Sequence, residues 1–171
     1  VSDFNNDGWP DMYVSNDFDE SDYFYINNKN GTFSESFSAC MQVSSLNTMG
    51  LDAADYNNDG LVDLLTLDMM PEDNKTIKMH SGAENFDKFQ FLFTQGFYYQ
   101  YSRNMLQKNN GDGTFRNVSK QSGIDDRGMG WGTIWLDYNN DGLKDIYLVN
   151  DTKFTPSSYT NKLYKNNGDE T

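Results

Sequence analysis

Short apolar, β-prone runs recur along the chain, separated by polar segments rich in Asp, Asn and Gly. Residues 12–15 (Met-Tyr-Val-Ser), 64–67 (Leu-Leu-Thr-Leu) and 146–149 (Ile-Tyr-Leu-Val) each follow directly on an acidic segment. Residues 50–54 and 132–136, both opened by Gly, lead into two of those segments. Runs of this length between turn-forming residues predict short strands, so the unit reads strand, acidic loop, strand. One stretch breaks the pattern. Between Gly82 and Gly96, Phe86, Phe89, Leu92 and Phe93 recur at helical spacing, which predicts a helix closed by Gly96. Residues 97–101 (Phe-Tyr-Tyr-Gln-Tyr) then predict a strand.

The acidic segments are copies of one nonapeptide. It reads Asp-Phe-Asn-Asn-Asp-Gly-Trp-Pro-Asp at 3–11, Asp-Tyr-Asn-Asn-Asp-Gly-Leu-Val-Asp at 55–63 and Asp-Tyr-Asn-Asn-Asp-Gly-Leu-Lys-Asp at 137–145. Oxygens at positions 1, 3, 5 and 9 can converge on one point if the backbone turns sharply between them. Gly8, Gly60 and Gly142 at position 6 permit the positive φ such a turn needs. The calcium loop of an EF-hand opens with the same Asp-x-Asn-x-Asp-Gly and adds a backbone carbonyl from position 7. Here the last carboxylate comes at position 9, and a strand follows in place of a helix.

The pattern predicts three calcium loops that are not EF-hands. Their ligands are Asp3, Asn5, Asp7, the Trp9 carbonyl and Asp11; Asp55, Asn57, Asp59, the Leu61 carbonyl and Asp63; and Asp137, Asn139, Asp141, the Leu143 carbonyl and Asp145. Ca²⁺ is favoured over Mg²⁺ because flexible carboxylates and a carbonyl suit a loose oxygen shell better than a strict octahedron. The competing reading is an Asn/Asp-rich hairpin turn without metal. Three copies with identical Asp, Asn, Asp, Gly and Asp positions weigh against it, since closely packed carboxylates repel unless a cation neutralises them.

A second element alternates with the loops. Residues 24–33 (Phe-Tyr-Ile-Asn-Asn-Lys-Asn-Gly-Thr-Phe) align with 106–115 (Leu-Gln-Lys-Asn-Asn-Gly-Asp-Gly-Thr-Phe), and 163–169 begin a third copy in which Glu170 replaces the Gly. Its Asn-Gly and Asp-Gly steps predict hairpins, with Gly31 and Gly113 as turn residues. A full unit then has about four strands, two around the acidic loop and two around the hairpin. Successive loops start 52 and 82 residues apart, which suits propeller blades of roughly 40–50 residues with an insertion in the second. The expected organisation is a partial all-β propeller over 1–171. Its units run over about 1–48, 49–127 (insertion at about 71–103) and 128–171, the last incomplete.

Composition narrows the function. There are 26 acidic against 13 basic side chains, a net charge of −13, with 21 Asp but only 5 Glu. That balance argues against nucleic acid and anionic membranes as partners. Acidity carried by Asp instead of Glu is acidity placed in loops. Three Ca²⁺ would add six positive charges and take −13 to −7. One cysteine, Cys40, excludes an intrachain disulfide, and one histidine, His80, excludes a multi-histidine zinc site. No run approaches the length of a membrane span.

The acidic loops, with 131–138 (Trp-Gly-Thr-Ile-Trp-Leu-Asp-Tyr) and the 103–115 segment, resemble the FG-GAP/VCBS-repeat family of integrin-α-like β-propellers. They are closest to bacterial VCBS-repeat proteins of the ASPIC/UnbV and cartilage-acidic-protein group. The resemblance implies calcium-bearing blades, about seven to a propeller, in secreted or outer-membrane-associated proteins. Two to three units would then be part of a longer propeller chain. The expected function is a non-catalytic, calcium-binding module or scaffold at the cell surface or outside the cell, meeting another surface protein or a glycan. The alternative is the substrate-binding part of a polysaccharide-acting enzyme, with the insertion aromatics Phe86, Phe89, Phe91, Phe93, Phe97, Tyr98, Tyr99 and Tyr101 lining a glycan cleft and Asp87 or Glu84 as candidate acids.

Other features are expected to be structural. Most insertion aromatics should bury against the blade, Trp131 and Trp135 should pack between blades, Cys40 should be an inert thiol in a strand, and His80 should be solvated. Sequons at Asn30, Asn74, Asn117 and Asn150 carry little weight in so Asn-rich a chain. No nucleophile elbow or phosphate-binding Gly loop is present.

Overall fold

The computed structural model describes residues 1–18, 20–71, 75, 78, 86–125, 128–150 and 160–169. In chain order the elements are β1 (Met12–Val14), β2 (Tyr23–Asn27), β3 (Phe33–Glu35), α1 (Phe37–Cys40), β4 (Ser44–Ser45), β5 (Gly50–Ala54), β6 (Asp63–Leu67) and β7 (Met69–Met70). There follow α2 (Phe86–Thr94), β8 (Gln100–Tyr101), β9 (Met105–Asn109), β10 (Phe115–Asn117), β11 (Gly128–Leu136), β12 (Asp145–Asn150) and β13 (Lys162–Tyr164). His80, Glu84 and Asn74 lie outside the described residues.

The chain is all-β in antiparallel sheets with little helix. The first sheet has the order β1-β2-β3, the second β10-β9-β6-β5, and the third β13-β12-β11-β7. The second sheet shows the full unit: β5 and β6 flank an acidic loop, β9 and β10 flank a hairpin, and the chain between β6 and β9 holds α2 and β8. β7, from the start of that intervening chain, pairs across to β11 and so ties it to the next sheet.

The middle sheet is covered on both sides. Leu64 joins Phe4, Tyr13, Phe24, Phe37, Met41 and Phe115 in one core, while Leu65 and Leu67 join Tyr56, Leu106, Val118, Ile124, Ile146 and Leu148 in the other. Alternate side chains of a strand point to opposite faces, and every residue of β6 is buried. That is why 64–67 reads as a nearly unbroken apolar run. β5 and β11 come close enough that a Cβ on Gly50 would stand 3.0 Å from the Gly132 Cα, so Gly is required there.

Four expectations need correction. Cys40 is not in a strand. It ends α1, a single turn pinned by the buried Phe37, and is half-buried with its thiol pushed up by that burial. Of the strand expected over 97–101, only Gln100–Tyr101 pairs, and it does so in parallel with Ser44–Ser45. Trp135 stacks on Tyr56 at 5.8 Å, but Trp131 is 43% exposed. The register slips between Gly130 and Gly132, leaving Trp131 as the extra, unpaired residue of a bulge.

The insertion aromatics are the fourth. Phe86 (72%) and Phe91 (62%) are the most exposed, and α2 has no buried residue. Phe86, Phe89 and Phe93 share one face of the helix and Phe91 points away from it, yet that face is seated in neither core cluster. The rings stack on one another instead, Phe89 on Phe93 at 6.4 Å and on Tyr101 at 6.0 Å, and Phe93 against Tyr99 at 4.6 Å. Tyr98 reaches the core, edge-on to Phe37 at 5.6 Å.

Candidate metal centres

The three acidic loops share one conformation. Position 4 is left-handed as well as position 6: Asn6 (φ 54°) with Gly8 (87°), Asn58 (58°) with Gly60 (84°), and Asn140 (57°) with Gly142 (85°). Asn tolerates this region better than other side-chain-bearing residues, and Gly occupies it freely. The two turns curl the backbone amides inward over the position-1 carboxylate.

That carboxylate accepts two amides in each loop. Asp3 takes Asp7 N at 3.0 Å and Gly8 N at 2.8 Å, Asp55 takes Asp59 N at 3.0 Å and Gly60 N at 2.8 Å, and Asp137 takes Asp141 N at 3.1 Å and Gly142 N at 2.9 Å. The position-3 oxygens of Asn5, Asn57 and Asn139 share the amide of position 5 at 3.1, 3.3 and 3.1 Å. The position-5 carboxylates accept the amides of Trp9, Leu61 and Leu143. Those bonds leave the position-7 carbonyls as separate candidate ligands.

Position 9 opens the following strand in two loops (Asp63, Asp145) and immediately precedes it in the first (Asp11), and it is wholly buried in each, at 0% exposed. One oxygen of each folds back on the position-2 amide, Phe4 N at 3.1 Å, Tyr56 N at 3.3 Å and Tyr138 N at 3.2 Å. The other accepts an amide from the hairpin element, Asn27 N at 2.9 Å, Asn109 N at 2.9 Å and Asn166 N at 2.8 Å. The sequence pattern alone gives these hairpin asparagines no part in the loops. Their recurrence at one place in every copy of the second repeat is the signal that could have found them.

Burial pushes the Asp63 carboxyl up to about 7, and the Asp59 and Asp55 charges add to it, against the two amide bonds. Asp141 is held low, first by the Asn139 amide, then by Leu143 N, with Lys165 adding to the effect. Lys29 lies 3.2 Å from Asp7 and Lys108 3.8 Å from Asp59, so the position-5 acids have cations beside them.

Within each loop positions 1, 3 and 5 meet around one amide, while position 9 anchors the loop's base. As they stand, the carboxylates are spread over amides: among the described residues no three Asp, Glu, His or Cys side chains form a group that could hold a metal ion. The donor set itself fits a hard cation. It is all oxygen, and each loop contains a fully buried carboxylate, which is costly without a countercharge.

The FG-GAP-like repeat model matches residues 3–66 and 91–148, together more than half of the chain. This chain belongs to the FG-GAP-like repeat family. No curated protein matches it. The matched segments contain all three acidic loops and both complete hairpins, residues 3–66 spanning the first hairpin and 91–148 the second. The unmatched stretch between them holds β7 and the start of α2. Membership is consistent with the sheet architecture and marks the repeats as β-propeller-like units of a binding module.

Proposed function

We propose that this FG-GAP-like chain is a calcium-binding β-propeller segment that works as a non-catalytic binding or scaffolding module at the cell surface or outside the cell. The observation that carries this is the wholly buried carboxylate at position 9 of three loops with one shared conformation. Each Ca²⁺ would be held by the side chains at positions 1, 3, 5 and 9 and the carbonyl at position 7. Bound calcium supplies two positive charges where the chain has concentrated negative ones. The chain's own part is to present oxygens from a loop fixed between two strands, so that the blade surface stays rigid.

Calcium near millimolar outside cells keeps sites of Kd about 10⁻⁴–10⁻³ M largely occupied. Binding that is specific to the folded chain adds to its stability. The test is calorimetric titration of the EDTA-stripped chain with thermal melting in parallel. Three sites per chain, a calcium-dependent rise in Tm and loss of one site in Asp59→Ala are expected. Absent binding, or melting indifferent to calcium, would reduce the loops to turns.

A second reading rests on the insertion. Phe86, Phe89, Tyr98, Tyr101 and Arg103 contribute to a cavity of about 460 Å³, and the Arg103 guanidinium lies 5.8 Å over the Tyr101 ring. Stacked aromatics with a cation at the edge suit a sugar ring. Glycan binding abolished by Phe89→Ala would favour it. Glycan cleavage abolished by Asp87→Asn would go further and make the chain part of an enzyme.

A further inference from the structure

The dipeptide Asn-Gly occurs three times, at 30–31, 110–111 and 167–168, each time in a copy of the hairpin motif. Its chemistry is shared: the Gly nitrogen can reach the side-chain carbonyl carbon of the preceding Asn, because no Cβ stands in the way. Its place in the hairpin is not. Aligned on the repeat, the first copy carries the pair two residues later than the others, so Lys29 stands where Gly111 does and Asn30 where Asp112 does.

That shift separates one nucleophile from the other two. Gly111 N donates to Asn109 Oδ1 at 2.9 Å, and Gly168 N to Asn166 Oδ1 at 2.9 Å. Both glycines also pack on a leucine of an acidic loop: a Cβ on Gly111 would stand 3.2 Å from Leu61, and one on Gly168 3.3 Å from Leu143. Gly31 N donates to nothing among the described residues, and a Cβ there would meet nothing within 4 Å. The carbonyl it faces is polarised as well. Asn30 Oδ1 accepts Thr32 N at 3.0 Å and the Thr32 hydroxyl at 2.6 Å, and Asn28 Nδ2 donates to that hydroxyl oxygen at 3.0 Å. Two donors on the oxygen that turns negative when its carbon is attacked favour the attack. The exposure of this tip does not depend on where the chain starts. Residues 110–113 are exposed too, although Phe115 beside them packs on the first sheet.

We propose that Asn30 is a self-modification site, at which the folded chain converts its own side-chain amide to an acid. Gly31 N gives its proton to hydroxide and bonds to Asn30 Cγ. The Cγ–Nδ2 bond breaks, and the departing nitrogen takes a proton from water, restores the hydroxide and leaves as ammonia. A further water opens the cyclic imide at one carbonyl to give aspartate, or at the other to give isoaspartate. Nothing is oxidised or reduced. The aspartyl product fits as it stands, because Asp112 holds that place in the second hairpin and accepts Thr114 N at 3.0 Å and the Thr114 hydroxyl at 2.6 Å. The isoaspartyl product lengthens the main chain inside the turn that the bond from Asn28 N to the Thr32 carbonyl closes at 3.0 Å. Either product adds a negative charge beside Lys29, whose ammonium lies 3.2 Å from Asp7 of the first acidic loop. The reaction itself is independent of calcium.

The test holds the whole chain in mildly alkaline buffer, with a parallel sample in guanidinium chloride. Peptide mapping by mass spectrometry follows the amide-to-acid mass gain at each Asn-Gly step. In the folded chain Asn30 should convert at least about tenfold faster than Asn110 or Asn167. In the unfolded chain the three rates should converge, since the dipeptide is the same. Thr32→Val keeps the shape of the side chain and removes the hydroxyl donor, so Asn30 should convert about threefold more slowly in that variant. The proposal is overturned if Asn110 or Asn167 keeps pace with Asn30 in the folded chain, or if Asn30 stays intact there while the unfolded chain reacts. An equal lead for Asn30 in guanidinium chloride, or a wild-type rate in Thr32→Val, overturns it as well.

Discussion

The Asn6 side chain donates from Nδ2 to the Gly60 carbonyl at 3.0 Å, across 54 residues of sequence. One repeat further on, Asn58 makes the same bond to the Gly142 carbonyl at 3.1 Å. Position 4 of each loop is thus stitched to position 6 of the next. Beneath this row lies a second one, in which Asn109 Nδ2 donates to the Phe4 carbonyl at 2.7 Å and Asn166 Nδ2 to the Tyr56 carbonyl at 2.8 Å. The residues that shape the loops also align the blades.

Asn58→Gly isolates the upper stitch, because Gly keeps the left-handed backbone and removes only the side chain. The bond is exposed, so a loss of about 1 kcal/mol or less is expected, seen as a Tm lower by about 2–4 °C at most. Asn140→Gly should change Tm less, since Asn140 makes no such bond among the described residues. Equal effects of the two substitutions would show that the stitch contributes nothing.

Asn109→Ala should be far more damaging. Asn109 is 2% exposed, donates to both the Phe4 and Val62 carbonyls and accepts Gly111 N. Its removal strands buried carbonyls, at about 1–3 kcal/mol for each unsatisfied group. Asn27, at the same repeat position, donates only to the exposed Pro10 carbonyl, so Asn27→Ala should cost about 1 kcal/mol. Urea unfolding of the two variants checks the ranking.

Asp22 sets part of the pH dependence. It is 1% exposed and accepts the Tyr13 hydroxyl at 2.5 Å, Asn16 N at 2.8 Å and the Thr48 hydroxyl at 3.3 Å. Burial nevertheless pushes it up to about 6 from 3.8, with the Asp68 charge adding to the shift. The folded chain therefore holds this proton more tightly than the unfolded chain does. The resulting stability is complete below about pH 4 and is lost as pH rises through about 6. Asp22→Asn, measured by urea unfolding in EDTA, should gain on the wild type as pH rises across that window. A constant difference would contradict the assignment.

Acid in the hairpins should behave unlike acid in the loops. Asp112 accepts Thr114 N at 3.0 Å and the Thr114 hydroxyl at 2.6 Å, which is turn chemistry. Asp112→Ala should leave three calcium sites in a calorimetric titration, whereas Asp141→Ala should leave two. Loss of a site in Asp112→Ala would mean that the hairpins, too, bind metal.

Much was legible in the sequence because its requirements are local. A left-handed Gly at position 6 and apolar runs of strand length on either side act within a few residues, and the nonapeptide states them three times, whereas the capping of the loop's own amides by its carboxylates was seen only in the structure. Residues 64–67 read as a strand for the same reason, while the covering of both its faces came from the two neighbouring sheets. What tertiary structure alone decided depends on neighbours distant in sequence. Asn109 and Asn166 share a local motif, but the Phe4 and Tyr56 carbonyls they stitch lie 105 and 110 residues away in sequence. Phe115 is buried because Phe4 and Phe24 of the neighbouring sheet receive its ring, so burial belongs to that seat and not to the strand that carries the ring. Trp131 turns outward because Gly130 and Gly132 slip register against β12, and α2 keeps its aromatics outside the cores because Phe89 and Phe93 stack on Tyr101 and Tyr99 instead. Local sequence selects the loop and the strand; the packing of one repeat on the next decides which of their side chains are held and which stay exposed.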